Sequence, residues 1–89
     1  MIYHLEFTDS ALKDIELLKR TGNRVVLKKL FILLTELTEH PFTGTGKPEP
    51  LKYELTGLWS RRINKEHRLI YQVKENTIVL IIAAKGHYL

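Results

Sequence analysis

Residues 44–71 read GTGKPEPLKYELTGLWSRRINKEHRLIY, and the order of signals within them decides the fold. A Gly/Pro loop comes first, carrying a single carboxylate, Glu49, between Pro48 and Pro50. Leu51 to Leu55 follows, then a Thr56-Gly57 turn, a run from Leu58 to Ile63, a tight connection at 64–66 and a further run that starts at His67. Short runs rich in Val, Ile, Tyr and Trp between brief polar turns predict an antiparallel meander. The stretch holds six Lys/Arg against three acids, while the whole chain has a net charge of +4, so most of the excess positive charge collects here. A rigid loop that displays a carboxylate beside cations suits a polyanionic partner.

Toward the C-terminus the run His67 to Val73 places Leu69, Tyr71 and Val73 on one face and Arg68, Ile70 and Gln72 on the other. A turn at Glu75-Asn76 leads into Thr77 to Ala84, which is apolar on both faces and is therefore expected at the centre of the sheet. Toward the N-terminus the loop from Pro41 to Pro50 forms neither helix nor central strand, because prolines remove donors and glycines loosen the backbone. Before it, Val26, Leu30, Leu33, Leu34 and Leu37 make one apolar stripe of a helix capped by Asn23. Pro41 bars continuation, so this helix is expected to end at Glu39 or His40. An earlier helix starts at Thr8, Asp9 and Ser10, carries Ala11, Leu12, Ile15 and Leu18 as its stripe, and ends at Gly22. Ile2 to Phe7 alternates with period two and predicts an N-terminal strand. The expected class is α+β: a small antiparallel sheet with an N-terminal strand and a two-helix hairpin packed on one face.

The 89 residues leave room for one domain, 1–89. Hydrophobic residues make up 44% and charged residues 27%, proportions that argue against extended disorder. Cysteine is absent, which excludes disulfides, thiolate nucleophiles and cysteine zinc sites. No run approaches the roughly 18 apolar residues of a membrane span, and MIYHLEF is too short for a signal peptide. A cytoplasmic protein is expected. The pI near 9.5 favours an acidic partner, nucleic acid before membrane.

Cleaving RNA without a metal requires a base for the 2′-hydroxyl proton, an acid for the departing 5′-oxygen and a cation for charge gathering on the phosphate. Glu49, His87 and Arg68 have the right chemistry, on a loop, near the chain end and in a strand. Each also has an ordinary reading. Glu49 fits a solvated loop acid, Arg61, Arg62 and Arg68 fit outward strand positions, and His87 and Tyr88 fit a frayed end.

Four segments shift that balance: KPEPLK at Lys47 to Lys52, LTGLWSRRI at Leu55 to Ile63, EHRLIY at Glu66 to Tyr71, and the pair His87-Tyr88. Together they resemble the YoeB (Txe) toxin family of the RelE/ParE superfamily, and the similarity extends more loosely through both helices. The resemblance implies a ribosome-dependent messenger-RNA endonuclease, with the ribosome and its message as partners and a YefM-like antitoxin that neutralises it. It implies general base Glu49, phosphate-stabilising Arg68 and general acid His87, with Lys52, Arg62 and Tyr88 at the RNA. No cofactor and no metal are expected, and a homodimer is compatible with the family. Lys85 and Gly86 stand where the family often has Arg and an aromatic, and Leu89 extends beyond the tyrosine. The alternative from the same superfamily is a non-catalytic toxin that binds a protein such as DNA gyrase, since a fold does not fix a function.

Overall fold

In the computed structural model, which describes residues 2–82, strand β1 (His4–Phe7) turns directly into helix α1 (Asp9–Arg20) at Thr8. The Thr8 side-chain oxygen accepts from the Ala11 N–H at 3.1 Å, satisfying one orphan donor of the first turn. Its hydroxyl also donates to the Leu80 carbonyl at 2.9 Å, which ties this corner to the last strand. Helix α2 (Arg24–Leu37) is capped as expected by Asn23, whose side-chain oxygen accepts from the Val26 N–H at 3.1 Å. It stops at Leu37, two to three residues short of the expected end. There Thr38 folds back, its hydroxyl donating to the Thr35 carbonyl at 2.6 Å, before the chain reaches Pro41.

The remaining strands are β2 (Glu49–Pro50), β3 (Leu58–Arg62), β4 (Arg68–Lys74) and β5 (Thr77–Ile82). They form one sheet in the order β1-β5-β4-β3-β2, so the apolar β5 is interior as its composition required. The sheet is antiparallel from β2 through β5. Strand β1, however, joins β5 in parallel, with Leu5 opposite Ile78 and Phe7 opposite Leu80. A parallel pair needs a long crossover, and here the helical hairpin and the meander together supply it. The expected strand from Leu51 to Leu55 is replaced by a short 3-10 turn at Tyr53–Leu55. The edge strand is only two residues long, and the Leu51 N–H adds one further bond across to the Leu58 carbonyl at 2.9 Å.

Both helices cover one face of the sheet. Ala11, Ile15 and Leu18 of α1 and Val26, Leu30, Leu33, Leu34 and Leu37 of α2 pack with Ile63, Leu69, Tyr71, Ile78 and Leu80. Leu12, expected in the α1 stripe, is 52% exposed, because it stands a third of a turn beyond Ala11. No helix among the described residues is long and apolar enough to cross a membrane. Side chains alternate along each strand, so residues between the core positions point to the face that the helices leave uncovered.

Candidate active site

On that second face the register brings three strands to one point. Glu49 of β2 lies opposite Ser60 of β3, and Ser60 lies opposite Ile70 of β4. Two residue pairs further along, on the same face, Arg62 lies opposite Arg68. The Arg68 Nη1 is 3.6 Å from Glu49 Oε1 and donates to Ser60 Oγ at 3.3 Å. Glu49, Ser60 and Arg68 therefore meet in three dimensions, although eighteen residues of chain lie between the acid and the arginine. The Glu49 and Arg68 side chains are 62% and 28% exposed. The pair is thus open to solvent and to an incoming ligand.

Two guanidinium groups directly opposite each other repel, and an anion between them relieves that repulsion. Arg62 is exposed and, among the described residues, its side chain has no ion pair. Lys52 is likewise exposed, at the turn that joins β2 to β3. Of the expected catalytic residues Glu49, Arg68 and His87, the first two come together, with Arg62 opposite Arg68 in register. His87 and Tyr88 lie outside the described residues.

Two participants were not among the expected site residues. Ser60, fully buried, holds the Arg68 guanidinium from below. Arg61, read as an outward strand residue, is 0% exposed, which corrects that reading. Trp59 and Ile63 pack with the core on either side of it, and strand alternation carries Arg61 inward with them.

The Arg61 guanidinium is satisfied on every side. Its Nη1 donates to Glu36 Oε1 at 2.9 Å and to the Thr45 carbonyl at 3.4 Å. Its Nη2 donates to the Thr43 carbonyl at 2.6 Å and to the His40 carbonyl, and its Nε reaches the Tyr71 hydroxyl at 3.4 Å. The Tyr71 hydroxyl in turn donates to the Pro41 carbonyl at 2.6 Å. Burial raises the Tyr71 phenol above its ordinary pKa, opposed by the nearby Arg61. Glu36 accepts from the Thr45 hydroxyl at 2.6 Å and from its N–H at 2.7 Å. The Thr45 hydroxyl is the main reason the Glu36 carboxyl titrates below its ordinary value, with Arg61 adding to it against the effect of burial.

This network pins residues 40–45, and the Arg62 N–H extends it by donating to the Gly46 carbonyl at 2.8 Å. The two glycines of the loop are required by it. A side chain at Gly44 would overlap the Glu36 carboxylate, and one at Gly46 would come within 2.7 Å of the Arg62 carbonyl oxygen. Both also adopt φ values, +113° and +83°, that L side chains rarely take. The loop so held delivers Glu49 to its place opposite Ser60. A separate groove of about 710 Å³ runs along α2 and is lined by Leu27, Phe31 and Ile32 among others. Arg24, Lys28, Glu36, Glu39 and His40 also line it, and it is on the helical side of the molecule, away from the Glu49/Arg68 face.

Comparison with known proteins gives this arrangement a context. Residues 7–88 match the family described as the YoeB-like toxin of bacterial type II toxin-antitoxin systems. Toxin YoeB of Escherichia coli K12 is 49% identical over 70 residues, 79% of this chain and 81% of that protein. The solved YoeB/ParE toxin from Agrobacterium tumefaciens superimposes with a TM-score of 0.86 at 35% identity, covering 94% of this chain and 99% of the other. The toxin in a heterotetrameric YoeB-YefM toxin-antitoxin complex from Staphylococcus aureus does so with a TM-score of 0.81 at 37% identity, covering 99% and 100%. With the family matched along nearly its whole length, this chain belongs to the YoeB-like toxins of bacterial type II toxin-antitoxin systems.

Proposed function

We propose that this toxin is a ribosome-dependent endoribonuclease that cuts messenger RNA in the ribosomal A site and so stops translation. The observation that carries the reading is the Glu49 carboxylate beside the Arg68 guanidinium on an open face lined by further cations. In the step we assign to it, Glu49 takes the proton of a 2′-hydroxyl, whose oxygen attacks the adjacent phosphorus. Arg68 balances the charge that builds on the phosphoryl oxygens. The bond from phosphorus to the 5′-oxygen breaks, and His87 gives that oxygen a proton. The products are a 2′,3′-cyclic phosphate and a free 5′-hydroxyl, with no metal required. Lys52, Arg62 and Tyr88 hold the RNA. The partner that restrains it is a YefM-like antitoxin, as in the Staphylococcus aureus complex, and its acidic groups are steered by the basic face. A homodimer is in keeping with the YoeB dimer solved from the same organism. The compartment is the cytoplasm, where ribosomes and messages are.

The test is incubation of the purified protein with message-programmed ribosomes and with the same RNA free in solution. Cuts ending in 2′,3′-cyclic phosphate, on ribosomes alone, are the expected result. Intact message together with inhibited gyrase would replace this reading with the protein-binding one.

The cations give a second expectation. Each phosphate contact releases condensed counterions, with a slope near −0.7 in log K against log salt for single-stranded nucleic acid. Lys52→Ala and Arg62→Ala are each expected to weaken binding to programmed ribosomes and to flatten the salt dependence by about 0.7. A titration at several salt concentrations with unchanged slopes would remove these two residues from the RNA contact.

A further inference from the structure

Tyr53 occupies its place at a cost to the fold. The residue is 90% exposed, and φ of 58° puts a residue with a full side chain in the left-handed region that glycine and asparagine occupy far more readily. The backbone is fastened there. The N–H and hydroxyl of Thr56 both donate to the Tyr53 carbonyl, at 3.1 and 2.7 Å, and the Leu55 N–H donates to the Lys52 carbonyl at 3.1 Å. Among the described residues the Tyr53 ring and hydroxyl make no hydrogen bond and no aromatic contact. Folding therefore gains nothing from the ring, and asparagine would fit the backbone better. Departures of this kind, a strained backbone combined with an apolar group left in water, collect where a residue serves a ligand.

The surroundings identify the ligand's chemistry. Tyr53 adjoins Lys52 and stands four residues beyond Glu49, so the two α-carbons are at most about 14 Å apart along the chain. One short segment thus carries a carboxylate set for the sugar-phosphate backbone, a cation and a free aromatic face. Every nucleobase offers a π-face to such a ring whatever its identity. We propose that Tyr53 is a stacking platform for an unpaired nucleobase of RNA, next to the phosphate that Arg68 meets. This rests on the endonuclease reading and adds to it a binding residue that grips RNA without selecting a base. The base belongs either to the message or to an exposed ribosomal RNA segment, two sources with one chemistry.

The experiment compares Tyr53→Asn and Tyr53→Phe on a Glu49→Gln background, in which the message stays whole. Binding is measured to ribosomes with and without a message that carries 2-aminopurine beside the cleavage position, and thermal unfolding is followed in parallel. Tyr53→Asn is expected to hold or raise the melting temperature while weakening binding roughly tenfold or more. Tyr53→Phe is expected to restore binding. Quenching of 2-aminopurine by the parent and by Tyr53→Phe, lost in Tyr53→Asn, assigns the base to the message. An equal loss of affinity for message-free ribosomes assigns it to ribosomal RNA. Unchanged binding by Tyr53→Asn, or a lowered melting temperature at unchanged affinity, overturns the proposal. Binding and quenching that respond as described, while the protein that keeps Glu49 leaves the message on ribosomes whole, would sink the endonuclease reading alone, whereas no binding with Tyr53 in place would sink both.

Discussion

Replacing Arg61 by methionine is expected to lower the unfolding free energy by about 3–5 kcal/mol, the usual consequence of removing one partner of a buried ion pair. The loss has three sources. The Glu36 carboxylate, 26% exposed, is left without its Arg61 partner. The partly buried carbonyls of His40, Thr43 and Thr45 lose their donor, and acceptors that water reaches only in part are costly to leave unpaired. The Tyr71 hydroxyl keeps only its bond to Pro41. For a domain of this size, with about 5–15 kcal/mol in total, the variant stands near the edge of folding. Glu36→Gln is expected to cost less, because an amide still accepts from Thr45 and the guanidinium keeps its carbonyl partners. Urea unfolding followed by circular dichroism checks both, and a loss below about 1 kcal/mol in Arg61→Met would show that the network does not hold the fold.

The same network has a pH signature. Glu36 titrates in the folded protein below the ordinary 4.5, so the unfolded chain binds its proton first as pH falls. Its contribution is then complete above the unfolded value and is lost as the pH drops through the folded one. Stability of the parent should therefore decline in acid more steeply than that of Glu36→Gln, which has no proton to take up there. Parallel acid limbs for the two proteins would assign the decline to other carboxylates.

How far the sequence foretold this arrangement depends on the range of the interactions involved. Both helix starts were legible, because Thr8 and Asn23 cap through contacts only three residues long. The parallel placement of β1 was not, since it depends on where a chain of some seventy residues returns. Arg61 shows a signal present but outweighed. It shares the alternation of Trp59 and Ile63, which points it inward, yet the acceptors that make an inward arginine tolerable come from a loop with no periodicity. Glu49 and Arg68 were recognisable as chemistry, through the KPEP and EHRL segments. Their contact follows from the register of Glu49 on Ser60 and of Ser60 on Ile70, which is a property of the turns, and Ser60 had nothing in its own neighbourhood to mark it.

Arg68→Ala is expected to lower the rate of message cleavage by about a hundred- to a thousandfold, the usual effect of removing one charge-stabilising donor. The prediction rests on the contrast with Arg61, the same residue type one strand away. Arg61 is bound on all sides and has nothing left to offer a substrate, whereas Arg68 holds Ser60 at 3.3 Å and faces Glu49 at 3.6 Å, beyond a good hydrogen bond. A phosphate that enters can draw the guanidinium from both at little loss. That exchange also uncovers the Glu49 carboxylate for the hydroxyl proton. Stability should accordingly change by less than about 1 kcal/mol in Arg68→Ala, as for other solvent-reachable pairs. Arg68→Lys should recover only part of the rate, because an ammonium is a point charge without the planar fork that grips two phosphoryl oxygens. Glu49→Gln should cost a comparable factor, and the double variant little more than either alone, since base and cation serve one transition state. Single-turnover cleavage on programmed ribosomes reads all four proteins. Full activity in Arg68→Ala, or losses from the two sites that simply multiply, would mean that the carboxylate and the guanidinium do not act on the same phosphate.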